Sequence, residues 1–130
     1  MVCINKRKIT KRHLTYYKIY RRFMRWLIGF HPSIYFQDIE QVKFGQQVWI
    51  GPHACFITHN HNKEDPATHD EHQPITIGEN CWIGANAVVL PGVTLGERTI
   101  VGAGSIVTKS FKDGHCIIAG NPATVLEELA

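Results

Sequence analysis

The chain has 130 residues, enough for one domain with a modest core. Its 44% apolar and 19% charged residues are ordinary for a soluble globular protein, and no apolar run is long enough to cross a membrane. The formal net charge of +3 is unevenly placed: Lys6, Arg7, Lys8, Lys11, Arg12, Lys18, Arg21, Arg22 and Arg25 crowd the start, and no acid precedes Asp38.

That basic segment is the first element. Tyr16, Ile19, Tyr20, Phe23, Trp26, Leu27 and Phe30 recur at the spacing of one helix face, with Lys18, Arg21, Arg22 and Arg25 on the other. The pattern predicts an amphipathic helical arm within residues 1–30, ahead of a second unit at 31–130. Such a helix can pack on the body or on a neighbouring chain, or it can lie on an anionic lipid surface. Its charge alone would allow nucleic acid, but no recognition motif accompanies it. The run "WLIGF" is too short for a secretory signal and no cleavage site follows. Cys3, Cys55, Cys81 and Cys116 form no CxxC pair and no zinc spacing, so they read as reduced thiols of a cytosolic protein. Two of them fall inside the repeat described next, at places that want small side chains.

From Phe44 onward a six-residue beat sets in: FGQQVW, IGPHAC, then, after an interruption, IGENCW, IGANAV, VLPGVT, LGERTI, VGAGSI and VTKSFK. The first place holds Phe44, Ile50, Phe56, Ile77, Ile83, Val89, Leu95, Val101 and Val107, and glycine follows at 78, 84, 96 and 102. The fifth place is Cys81, Ala87, Val93, Thr99, Ser105 and then Phe111. A hexad suits a short strand and a corner, and repeats of this length indicate a parallel β-helix. Three hexads close one triangular coil, so Val101 is expected over Ile83 and Val107 over Val89. Glycine in second place is expected to supply backbone freedom near the corner. Each coil buries its inner face only against the next. A sandwich would instead alternate with period two and vary in spacing.

Ile77 follows Phe56 by 21 positions, not a multiple of six, so the chain must leave the wall there in an extruded loop at about 59–74. Loops raised from rigid scaffolds are where sites are built. This one carries His59, His61, His69 and His72, and an imidazole with a pKa near 6.5 is available as a base at neutral pH. At the far end, Asn121-Pro122 offers an N-cap and first-turn pair, which predicts a short terminal helix over "ATVLEELA". Both terminal helices would cover open ends of the solenoid.

At "PITIGENCWIGANAVVLPGVTLGERTIVGAGSIVTKSF" and "IIAGNPA" the sequence resembles the hexapeptide-repeat acyltransferases. It looks closest to the branch of maltose and galactoside O-acetyltransferases and the acetyltransferases of polysaccharide biosynthesis. The likeness spans about residues 42–125 and excludes the arm. It implies an all-β, left-handed parallel β-helix, a homotrimer, and transfer of acetyl from acetyl-CoA to a hydroxyl. Handedness comes from the resemblance alone, since parallel crossovers are usually right-handed.

Aligned on "WIGPHACFITHNH", the family's catalytic histidine falls on His61, whereas His59 has no fixed counterpart and His69 and His72 read as solvated loop residues. Trp82 would wall the channel where thioester meets acceptor. Backbone at Ala85 and Ala103, one coil apart, would hold the pantetheine arm, with an amide near Ala85 placed for the oxyanion. Thr108 and Lys109 would meet the nucleotide end of the co-substrate, although Lys109 taken alone is a plain surface lysine. One departure is Thr124, where the family has Lys or Arg after "GNPA"; Lys112 or Arg98 would then have to substitute. Acceptor residues are not carried over, and Asp38 stands out as the polar candidate. No serine or cysteine sits beside a base as a nucleophile would, which favours direct transfer in a ternary complex without a metal.

Two other functions compete. A zinc enzyme like the γ-class carbonic anhydrases would need wall histidines on successive coils, but none occurs from Ile77 to Lys112 and only His53 lies on the wall near the loop. A non-catalytic scaffold would need the beat but has no use for the loop.

Overall fold

The computed structural model describes the backbone of Val2–Ile4 and all of residues 34–130. The helix expected within the arm lies outside the described residues, apart from β1 (Val2–Ile4), which is a strand. The rest is a triangular parallel β-helix. Its first face stacks β4 (Val48–Ile50), β7 (Trp82–Ile83), β10 (Thr99–Val101) and β12 (Cys116–Gly120). The second face is β2 (Tyr35–Phe36), β5 (Cys55–Phe56), β8 (Val88–Val89) and β11 (Ile106–Val107). The third is β3 (Val42–Phe44), β6 (Ile75–Ile77) and β9 (Thr94–Leu95). Val101 pairs with Ile83 and Val107 with Val89, the register that the three-hexad count requires.

First-place side chains fill the axis. Ile50, Phe56, Ile77, Ile83, Val89, Leu95, Val101 and Val107 are buried throughout. Each contributes roughly 1.5–3 kcal/mol relative to exposure. At the N-terminal coil the fill is aromatic, with Phe36 stacked on Phe56 at 5.0 Å between centroids and Phe44 edge-on to Phe56 at 5.6 Å.

The glycines do a different job from the one expected. Left-handed backbone at the corners falls to Asn80, Asn86 and Arg98, with φ of 55°, 57° and 54°. A Cβ on Gly84 would stand 2.6 Å from the Ala103 nitrogen, and one on Gly51 2.6 Å from that of Ala85. Stacked coils are simply too close there for a side chain, so second-place glycine is a packing requirement.

Three further expectations are corrected. Phe111 does not take a small-residue place but bridges Leu95 in parallel, because the corner before it is shortened. Among the cysteines, Cys55 sits beside the inner place held by Ala54 and is half-buried, whereas Cys116 stacks on Thr99 inside the first face. The C-terminal helix is absent: β13 (Ala123–Glu128) runs antiparallel on β12 after a cis Asn121–Pro122 bond. β12 offers an unpaired ladder edge, and the β-branched pair Thr124–Val125 suits a strand better than a helix. With β1 antiparallel to β4, the first face ends in a reversed strand at each end.

Candidate functional site

Ile57 makes the last wall bond, its N–H donating to the Val89 carbonyl at 2.9 Å, and the ladder resumes when Thr76 N–H reaches Val93 at 2.9 Å. The segment between them is a braced excursion. Gln73 N–H donates to the Thr58 carbonyl at 2.7 Å, Asp70 N–H to Asn60 at 2.9 Å and Asn62 N–H to Thr68 at 3.0 Å. The tip is an Asx turn: Asn62 Oδ1 accepts from the amides of Glu64 (2.8 Å) and Asp65 (3.1 Å), while its Nδ2 donates to Asp70 Oδ1 at 3.2 Å.

That turn delivers the Pro66 carbonyl to His61 Nδ1 at 2.9 Å. A carbonyl can only accept, so Nδ1 carries a hydrogen, and in the neutral ring Nε2 then holds the lone pair. The His61 side chain is exposed, so this lone pair can meet a solute. His69 bridges His61 across the loop, ring centroids 4.3 Å apart.

His59 has the opposite setting. Its ring lies 4.5 Å from that of His72 and 5.2 Å from that of His69, and its Nδ1 is buried without a hydrogen-bond partner. Desolvation lowers its pKa, helped by His72, His69 and His61, with Asp38 opposing. His72 Nδ1 stands 3.7 Å from Asp38 Oδ2, and Asp38 Oδ1 caps the 3₁₀ turn Ile39–Gln41 through Glu40 N–H at 3.0 Å. His69 and His72 therefore belong to a cluster and are not merely solvated. Asp38, chosen only as a polar residue, is brought into the same cluster.

Sequence reasoning missed Gln37. Its Oε1 accepts from the amides of Thr58 (3.0 Å) and His59 (3.1 Å), and its Nε2 faces His59 Nε2 at 3.2 Å. The available signal was register: Phe36 stacks on Phe56, so the next residue lies beside the loop's root.

Trp82 is 44% exposed on the first face, in register with the equally exposed Trp49 one coil below. Ala85 and Ala103 mark the corner between first and second faces in successive coils, tied by Gly104 N–H to the Ala85 carbonyl at 2.8 Å. Ala85 is half-buried and Ala103 exposed, so small side chains lie one above the other along that corner. Thr108 and the exposed Lys109 begin the corner between second and third faces, Lys109 Nζ 5.6 Å over the Phe111 ring. Within one chain the loop leaves the wall at this latter corner, between β5 and β6, and not at the corner that holds Ala85 and Ala103.

Arg98 donates from Nη1 to the Ala130 carbonyl at 2.9 Å. A cavity of about 300 Å³ lies at the C-terminal cap, lined in part by Phe111, Val125 and Leu129. Its carboxylates, Asp113 and Glu128, make it unsuited to a phosphate-bearing ligand. Burial raises the thiol pKa of both Cys81 and Cys116, which makes neither a ready nucleophile. Among the described residues no group of three or more His, Cys, Asp or Glu is placed to hold a metal ion.

A family model described as a hexapeptide repeat of succinyl-transferase matches residues 74–109. A Dictyostelium discoideum protein provisionally named an acetyltransferase is 46% identical over 98 residues, 72% of this chain and 50% of that relative. The galactoside O-acetyltransferase of Escherichia coli K12 is 38% identical over 99 residues, 71% of this chain and 46% of that relative. Among solved structures, a galactoside acetyltransferase in complex with coenzyme A shares 30% identity and a TM-score of 0.62, covering 76% of this chain and 60% of that one. Stacked hexads and an extruded histidine loop thus define a hexapeptide-repeat β-helix. The chain carries the repeat that this family model describes and is similar to acetyltransferases of the hexapeptide-repeat kind, and it spans about half the length of the curated relatives it matches.

Proposed function

We propose that the protein is an acetyl-CoA-dependent O-acetyltransferase acting on a hydroxyl of a sugar or glycan, with His61 as general base. The observation that carries this is the hydrogen bond from His61 Nδ1 to the Pro66 carbonyl, which leaves Nε2 as the basic atom on an exposed, braced loop. The coenzyme A bound to one solved relative and the O-acetyl transfer named for another support the donor and the acceptor class.

His61 Nε2 takes the proton of the acceptor hydroxyl as its oxygen adds to the thioester carbonyl. Carbon–sulfur cleavage then completes the acetyl ester, and the imidazolium returns the proton to the departing sulfur. Protons and charge balance without a covalent enzyme species or a metal. Ala85 and Ala103 line a lane for the pantetheine arm, Thr108 and Lys109 receive the nucleotide end, and Trp82 with Asp38 shapes the acceptor side. Because one chain holds His61 and the lane on different corners, the working unit is a homotrimer that sets one chain's loop against a neighbour's lane. Left-handed winding and a cytoplasmic location complete the reading.

The test is thiol release from acetyl-CoA across a panel of sugar acceptors. His61→Ala should lower kcat by about 10²- to 10⁴-fold while the fold and assembly persist. Near-normal turnover would remove His61 from the chemistry.

A further inference from the structure

We infer that Gln37 is a positioning residue for the reaction, holding the root of the His61 loop through two backbone amides and fixing the tautomer of His59. The inference rests on the reading of His61 as the base. Gln37 follows β2 directly, on the coil beneath the point where the chain departs from the wall. Its single oxygen takes both amide hydrogens, Thr58 at 3.0 Å and His59 at 3.1 Å. Thr58 is fully buried, so its N–H can draw on no water and depends on this carbonyl. The two amides set the direction in which the chain leaves the wall, two residues before His61.

Only an oxygen can accept those hydrogens, so the Gln37 amide nitrogen is the atom facing His59 Nε2 at 3.2 Å. It donates, and Nε2 accepts. His59 must then carry its one hydrogen on Nδ1, and a second proton on Nε2 would meet a donor. Gln37 thus keeps His59 neutral among its charged and titratable neighbours, which are His72, His69, His61 and Asp38. His69 links this neutral ring to His61, at 5.2 Å from the one and 4.3 Å from the other. The base therefore works beside an uncharged and fixed neighbour.

Two variants of the full chain separate this role from plain stability. Gln37→Met keeps length and removes both functions, whereas Gln37→Glu keeps an acceptor oxygen for the two amides but loses the donor. For Gln37→Met we expect kcat to fall about 10- to 100-fold with the KM for acetyl-CoA within about twofold, as misplacement of a base by about 1 Å would give. Amide exchange at Thr58 and His59 should quicken while exchange in the wall does not. Imidazole ¹⁵N spectra should show His59 as the Nδ1–H tautomer in the native chain and lose that signature in both variants. Gln37→Glu should recover amide protection and most of kcat. Unchanged kcat and unchanged amide exchange in Gln37→Met would overturn the inference, as would Gln37→Glu performing no better than Gln37→Met. If His61→Ala proves fully active, the base assignment fails instead, while exchange and tautomer still judge the pin itself.

Discussion

Asn62→Ala isolates the turn that presents His61. The substitution removes three hydrogen bonds, those to Glu64 N–H, Asp65 N–H and Asp70 Oδ1 at 2.8, 3.1 and 3.2 Å. It spares the backbone bond from Asn62 N–H to Thr68 at 3.0 Å. Net contributions run from about 0.5 to 1.5 kcal/mol per bond, and this exposed loop belongs at the low end. The loss is therefore about 1.5 kcal/mol, a factor of about ten in the population that brings the Pro66 carbonyl to His61 Nδ1. With that carbonyl displaced, His61 can take either tautomer and either orientation. In the thiol-release assay kcat should drop by up to about tenfold with the KM for acetyl-CoA unchanged, and Asn62→Asp, which keeps the acceptor, should fall between. The thermal midpoint should hold, because no strand of the wall bonds to this turn. Wild-type kcat in Asn62→Ala would refute the argument that the turn sets the base. A large fall in midpoint would show instead that the loop is part of the cooperative unit.

The remaining predictions concern the wall and the histidine cluster. Gly84→Ala sets a Cβ 2.6 Å from backbone of the next coil, so it should destabilise by about 3 kcal/mol in urea unfolding, far more than a surface glycine would. His59 binds its proton more weakly in the folded chain than the ordinary value of 6.5 implies. The unfolded chain takes up more protons just below that pH, so stability should decline as pH falls through 6.5, and thermal melts should show a shallower decline in His59→Gln.

The wall was legible because its physics is repetitive. Each branched residue at the first place sees the same surroundings three hexads away, so Val101 could be set over Ile83 by counting alone. The ends were not legible, because there the repeat has no next coil to specify it. "ATVLEELA" carries helix-forming Leu and Glu, yet the open edge of β12 decides its structure, and that edge is invisible to local propensity. The site divides in the same way. His61 could be nominated by alignment to a family pattern. The parts that hold it could not, since Gln37 bonds to backbone 21 and 22 positions on, and backbone leaves no trace in residue types.

The corners explain why chemistry collects where it does. From first face to second, Ile50 to Phe56, Ile83 to Val89 and Val101 to Val107 are each six positions apart. From second face to third the steps are eight, twenty-one, six and four, for Phe36 to Phe44, Phe56 to Ile77, Val89 to Leu95 and Val107 to Phe111. An unvarying corner stacks equivalent atoms in a straight line, and the Ala85–Ala103 lane is such a line. An extended chain can lie along it with the same spacing at every coil. A variable corner lets residues be added without disturbing the ladder on either side, because the wall bonds at Ile57 and Thr76 close as they would around a short turn. The histidine loop could be inserted there at little cost to the solenoid. On the proposed reading, one corner kept constant for a thioester arm and another free to grow a base are complementary halves, which a homotrimer would bring into contact.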